Sequence, residues 1–162
     1  MNRPAVMDLL LWRHAEAFDL AEGHTALEDL ERELTPRGIK QAARMASWLD
    51  KQLPEGAKIY SSNAVRADQT AKALQRKYKI KPELQPGASY IQLLELAQWP
   101  QSDSPVLLIG HQPSLGAVVA HLLGLQETSC AVKKGAVWWL RTRQREDVLQ
   151  TVLVTVQTPE YL

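Results

Sequence analysis

Apolar residues in this chain gather in short runs that stop abruptly at cationic or imidazole side chains. Val6 to Trp12 is the first such run, and Arg13 and His14 follow it directly. Pro105-Val106-Leu107-Leu108-Ile109 repeats the pattern and ends on Gly110 and His111. A short run without alternation suits a strand buried on both faces of a parallel sheet, and in open α/β sheets ligands sit beyond the carboxyl ends of such strands. Between the runs the period changes to that of a helix. Thr35-Pro36 forms an N-cap followed by a first-turn proline, and Ile39, Ala42, Ala43, Ala46, Leu49 and Leu53 mark one buried face, closed by Pro54-Glu55-Gly56.

The remaining elements alternate in the same way. Lys58 to Ser61 predicts a second strand, and Ser62-Asn63 caps a helix running through Ala64, Ala67, Ala71, Leu74 and Tyr78. A weak third strand is expected over Glu83–Gln85, a turn at Pro86-Gly87, and a helix over Ala88–Trp99 with Ile91, Leu94 and Leu96 in the core. Pro113 and Ser114 open a further helix, with Leu115, Val118, Val119, Leu122 and Leu123 apolar and Gly124 as its stop. Ala136–Leu140 and Val148–Val156 form a terminal hairpin around the charged span Arg141–Asp147, whereas Glu16–Leu34 reads as a polar loop with one helical turn. The expectation is an α/β three-layer sandwich with a mostly parallel sheet and a C-terminal antiparallel hairpin.

At 162 residues, with 45% hydrophobic and 23% charged positions, the chain supports one core, so a single domain over 1–162 is expected. The 19 Lys+Arg against 18 Asp+Glu leave a net charge of +1. That removes any global field for nucleic acid or a membrane surface, so an anion site must be local. Cys130 is the sole cysteine, which excludes an intrachain disulfide and fits a reducing compartment; a soluble cytoplasmic monomer is expected. Val6–Trp12 is too short for a membrane span and is interrupted by Asp8. His24, His121, Cys130 and the Lys133-Lys134 turn read as structural or solvated positions, and Trp138-Trp139 as alternating strand residues.

Arg13, His14, Arg66 and His111 come from three strand-to-helix junctions that a doubly wound sheet brings to one edge. Two guanidiniums and two imidazoles without an acidic partner call for an anion, and the planar arginine fork matches phosphoryl oxygens. Neighbouring cations keep a histidine neutral and nucleophilic near pH 7, and positioning supplies most of the catalysis in phosphoryl transfer. Neither metal nor organic cofactor is implied.

These residues carry a family resemblance. Arg13-His14-Ala15 resembles the Arg-His-Gly signature of the histidine phosphatase (phosphoglycerate-mutase-like) superfamily. Ser62-Asn63-Ala64-Val65-Arg66-Ala67-Asp68-Gln69-Thr70-Ala71 is similar to its Ser-Pro-x-x-Arg-Ala-x-Gln-Thr-Ala motif, and Gly110-His111 to its third block. Leu34-Thr35-Pro36-Arg37-Gly38 and Pro86-Gly87 look most like the SixA-type phosphohistidine phosphatases. The resemblance implies that His14 accepts the phosphoryl group, that Arg13 and Arg66 clamp it and that His111 is a further ligand. Ala15 for glycine and Asn63 for proline depart from the pattern without touching a reacting group.

A general acid is the missing part, since only Glu16 and Glu95 offer themselves as candidates. A phosphohistidine expels imidazole, whose conjugate acid has a pKa of about 6.5, so P–N substrates tolerate that gap better than alkyl phosphates. The expected function is removal of phosphate from a histidine-phosphorylated phosphorelay protein through a phosphorylated His14. The alternatives are a small-molecule phosphomonoesterase of the same superfamily, which needs an acid such as Glu95, and a non-catalytic phosphoprotein-binding module.

Overall fold

The computed structural model describes residues 6–162. Its centre is a pair of parallel strands, β1 (Val6–Arg13) and β4 (Val106–Gly110), paired from Leu9↔Val106 to Arg13↔Gly110. Leu9 to Trp12 and Leu107 to Ile109 have no exposure to solvent, because helices cover the sheet on both faces. The uninterrupted apolar runs are therefore what a strand needs when neither side meets water. Around this pair the six strands run in the order β3-β2-β4-β1-β5-β6. β2 (Lys58–Ser61) and β3 (Lys79–Ile80) are parallel, whereas β5 (Val137–Arg145) and β6 (Val148–Gln157) form the antiparallel hairpin against β1.

Alternation along β1 sorts the core into two layers. Leu10 and Trp12 face Met45, Leu49, Ala67 and Ala71 of α2 (Pro36–Gln52) and α3 (Val65–Lys72). Met7, Leu9 and Leu11 face Leu93, Leu115, Val118 and Val119 of α4 (Tyr90–Ala97) and α5 (Ser114–Leu123). The three-layer α/β sandwich expected from the pattern is thus present. Each fully buried aliphatic side chain of this kind contributes about 1.5–3 kcal/mol relative to exposure.

Several boundaries differ from the pattern for identifiable reasons. The first loop contains α1 (Ala26–Leu30), held by a capping box in which Thr25 and Glu28 each satisfy the other's backbone N–H. In α2 the buried face is Ala42, Met45, Ala46 and Leu49, while Ile39 and Ala43 point to solvent. The helix is rotated because Gly38 is pressed against the Glu16 backbone. α3 ends at Lys72 rather than continuing to Tyr78. Glu83–Gln85 is not a strand: residues 82–84 form a 3-10 turn that starts on Pro82, and the third strand is Lys79–Ile80. α4 begins only after Ser89, which caps it with Gln92, and buries Leu93 and Ala97 instead of Ile91. The hairpin strands continue through the charged span to a turn at Glu146-Asp147, whose residues adopt positive φ of 52° and 62°, as a tight antiparallel turn requires. Among the described residues no helix is long and apolar enough to cross a membrane.

Gly38 provides a direct test of how tightly the first loop is seated. The Thr35 N–H donates to the Glu16 carbonyl at 3.0 Å, and the Gln41 side chain accepts from the Glu16 N–H at 3.0 Å. A Cβ on Gly38 would overlap that same Glu16 carbonyl, whereas one on Gly56 would meet open space. Gly38→Ala is expected to lower urea-unfolding stability by about 1–3 kcal/mol and Gly56→Ala by less than about 0.5 kcal/mol. Equal stabilities for the two variants would contradict the close approach.

Candidate active site

Three strand ends build the site. Pairing of β1 with β4 brings His14 and His111 side by side, and the His14 N–H donates to the Gly110 carbonyl at 3.1 Å. Pairing of β2 with β4 places Ser62 on the other flank, its N–H donating to the Ile109 carbonyl at 3.0 Å. One turn further on, α3 carries Arg66. The turn before β5 closes the floor, where the Gly135 N–H reaches the Arg13 and His14 carbonyls at 3.1 and 3.0 Å with a positive φ that glycine accommodates.

His14 is buried, and its Nδ1 lies 2.8 Å from the Ala15 carbonyl. A carbonyl only accepts, so Nδ1 carries the proton and the Nε2 lone pair faces the cluster. Arg66 Nε donates to that nitrogen at 3.4 Å, and the His111 ring stands 5.2 Å away, tilted by 51°. Burial above all, then the charges of His111, Arg66 and Arg13, hold His14 well below the usual imidazole range, against the opposing pull of the Ala15 hydrogen bond. Burial and Arg66 push His111 down to about 3. Both rings are neutral at pH 7.

The guanidiniums are anchored differently. Arg13 Nη1 donates to the Val132 carbonyl at 2.8 Å, and its buried Nε has no partner among the described residues. Arg66, also buried, donates from Nη1 to the Asp29 carbonyl at 2.7 Å and from Nη2 to the Asp29 carboxylate at 3.1 Å. Burial lowers the pKa of both arginines. His111 Nδ1 is likewise buried and unpartnered among the described residues. Cations and N–H groups in this number suit a tetrahedral oxyanion, and among the described residues no group of three or more His, Cys, Asp or Glu is placed to hold a metal ion.

Asp29 corrects the expectation of a cluster without an acidic partner. Burial works to raise its pKa, but the hydrogen bond from Arg32 and the charge of Arg66 outweigh it and hold the carboxyl below its usual range. α1 delivers it: the capping box starts the turn, and Asp29 then sits between Arg66 and Arg32, the latter 3.2 Å away. The only available signal was the Thr25-x-x-Glu28 spacing, which marks a helix start but not what the helix carries. Thr70 and Gln69 also have roles the residues alone did not disclose. Thr70 Oγ1 accepts from the Ala15 N–H at 3.1 Å and donates to the Arg66 carbonyl at 2.7 Å, tying His14 to α3. Gln69 accepts from the Leu34 N–H at 2.7 Å and fixes the end of the first loop.

The two candidate acids are elsewhere. Glu16 accepts from the Thr35 hydroxyl at 2.7 Å and faces Arg37 at 3.9 Å, at the start of α2. Glu95 is exposed on α4, and no polar contact joins it to the four-residue cluster. His24 is exposed, and His121 is exposed too, stacked on Tyr90 at 4.8 Å rather than partly buried. Lys133 and Lys134 are exposed in the turn before β5; Trp138 packs on the α4/α5 side of the sheet and Trp139 against Trp48.

The model of the histidine phosphatase superfamily (branch 1) matches residues 9–93, a span that includes Arg13, His14 and Arg66. The chain belongs to this superfamily. Within it the chain is of the SixA type: the SixA protein of Nakamurella multipartitia superposes with a TM-score of 0.74 at 26% identity, covering 97% of this chain and 99% of that one. The protein histidine phosphatase SixA complexed with tungstate gives 0.71 at 25% identity, covering 96% and 99%. An uncharacterized protein of Mycobacterium tuberculosis is 28% identical over 108 residues, which is 65% of this chain and 68% of the relative. This histidine phosphatase is therefore a phosphatase-type hydrolase; the matched segment ends before His111, which the end of β4 brings beside His14.

Two measurements probe the electrostatics. Folded pKa values below the unfolded histidine value mean that the unfolded chain binds more protons as pH falls, so stability is intact above about pH 6.5 and lost progressively below it. Between pH 7 and 5 the His111 ring accounts for about 1–2 kcal/mol, so His111→Asn should shrink the difference between urea-unfolding free energies at those pH values by that amount. Asp29→Asn removes an anion that competes for Arg66, so inorganic phosphate should bind several-fold tighter, about 1 kcal/mol, by calorimetry. Weaker binding in that variant would assign Asp29 the opposite role.

Proposed function

We propose that this histidine phosphatase removes phosphate from phosphohistidine on a protein, with His14 as the transient phosphoryl acceptor. The observation that carries this reading is that, among the described residues, no free carboxylic acid stands beside an otherwise equipped anion site. The one carboxyl at the cluster, Asp29, is bound to Arg66 with its pKa lowered, and Glu16 and Glu95 are not joined to the cluster. An alkoxide leaves poorly without a proton, whereas a phosphohistidine releases an imidazole that can be protonated on its distal nitrogen at about pH 6.5.

The proposed sequence has two displacements. His14 Nε2 attacks phosphorus while the substrate P–N bond breaks and its electron pair stays with the departing imidazole. Arg13, Arg66 and His111 spread the charge of the equatorial oxygens. Water then attacks phospho-His14, the second P–N bond breaks, and inorganic phosphate and neutral His14 are restored. The short path from α3 to β4 supports a protein substrate, because its one helix, α4, spends Leu93 and Ala97 on the core. Tungstate, held by a SixA protein of the same fold, is a tetrahedral oxyanion of the class this cluster suits.

Phosphate release with chelator present, from a histidine-phosphorylated phosphotransfer domain and from a panel of alkyl phosphates, decides the matter. Release from the phosphohistidine at least about a hundredfold faster is expected, together with no turnover by His14→Ala and an acid-labile, alkali-stable label on His14 in the wild type. Faster hydrolysis of alkyl phosphates would assign the chain to small-molecule phosphomonoesters, and an active His14→Ala would exclude the covalent route.

A further inference from the structure

Ser62 is buried with no exposure, and its role is larger than starting a helix. The N-cap position of α3 is Ala64, which makes no side-chain cap; the Ser62 hydroxyl instead accepts from the Ala64 N–H at 3.1 Å. The same oxygen lies 2.7 Å from His111 Nε2. β-sheet register enforces this contact, since Ser62 and His111 leave adjacent strands within a residue of each other.

Two proton arrangements are available across that contact. If His111 Nε2 carried the proton, Ser62 Oγ would accept twice, its own hydroxyl hydrogen would be buried without an acceptor, and the His111 Nδ1 lone pair would also stand unpaired. A buried hydroxyl or ring nitrogen left unsatisfied gives up its solvation with no hydrogen bond in return. If Ser62 donates, Oγ is satisfied in both directions and only the Nδ1–H is left over, beside His14 and in the field of Arg13 and Arg66. An N–H there is a donor for a phosphoryl oxygen; a lone pair there would repel one.

We infer that Ser62 is a positioning residue that donates to His111 Nε2 and thereby fixes the Nδ1–H tautomer, so that a neutral His111 presents a hydrogen-bond donor to the phosphoryl group. Ser62 touches no substrate and acts only through His111. The inference deepens the proposed reading of the site and rests on it for the identity of the bound oxyanion, but the tautomer itself is observable whatever the substrate is.

Nitrogen-15 NMR of uniformly labelled protein at pH 7, with His111 assigned by the His111→Asn spectrum, reads the tautomer directly. In the wild type, Nδ1 is expected as the protonated nitrogen and Nε2 as the lone-pair nitrogen, with the Nδ1–H proton moving downfield on addition of inorganic phosphate. Ser62→Ala should give a mixed tautomer and a loss of roughly tenfold in kcat with a small change in KM, and Ser62→Thr should restore both. A wild-type spectrum with the proton on Nε2 would overturn the inference even if phosphohistidine is the substrate. The expected spectrum with no phosphatase activity would leave the tautomer standing and overturn only the functional reading. Should Ser62→Ala fail to fold, the wild-type spectrum and the Ser62→Thr protein still decide; an unaltered tautomer in a folded Ser62→Ala protein counts against the inference.

Discussion

The concentration of Arg13, Arg66, His14 and His111 at one buried sheet edge is the constraint to which the surrounding structure answers. A buried and a half-buried guanidinium beside two imidazoles repel one another, and the interior screens that repulsion poorly. The fold reduces it in separate ways. The imidazoles stay neutral, each with one nitrogen engaged by a neighbouring oxygen. Arg13 takes a backbone carbonyl, and Arg66 takes both a carbonyl and a carboxylate from Asp29. Arg66 is the extreme case, because its position in the first turn of α3 sets a cation against the positive end of the helix. Such placements survive where binding requires them rather than where stability would select them.

Asp29 makes the cluster viable in the absence of a bound anion. It is presented by a helix of five residues that buries no side chain, so α1 is held by its capping box and by Arg32 and Arg66 rather than by a core. Elements of this kind belong to the low-stability end of a structure. A phosphoryl group arriving at Arg66 meets a carboxylate already there. The energetic relation is competition for one guanidinium, and it sets the affinity of the site below what two free arginines would provide.

Which parts of this were legible in the residues follows from the range of the interactions. Strand ends were readable because apolar runs of β1 and β4 terminate sharply, and those ends are where Arg13, His14 and His111 stand. The layer order followed from strands alternating with helices. Rotation of α2 was not readable: Ile39 and Met45 both fit a helical stripe, and the choice between them is made by Gly38 packing on Glu16, a contact across the first loop. The buried side of α4 was not readable for a similar reason, since Ile91 and Leu93 are two residues apart on a short helix and only packing on α5 selects Leu93. Asp29 was hidden among the many acids of a polar loop. Its function depends on a contact with Arg66, 37 residues away, that no local spacing encodes.

The same distinction separates the chemistry that the cluster allows from the chemistry it selects. Positive charge and oriented N–H groups stabilise the transferring phosphoryl whatever it leaves behind, so they define a phosphatase without choosing its substrate. In the proposed reaction selection falls to the leaving group, because among the described residues the carboxyl at the cluster is already engaged by Arg66. Asp29 cannot supply it while paired to Arg66: protonating that carboxyl gives up the charge that the guanidinium stabilises, which is why the pairing lowers its pKa. A site that uses its nearest carboxyl as a counter-ion has surrendered it as an acid. The proposed substrate class follows from that argument: a nitrogen that takes up its own proton near neutral pH leaves without an acid where an alkoxide does not.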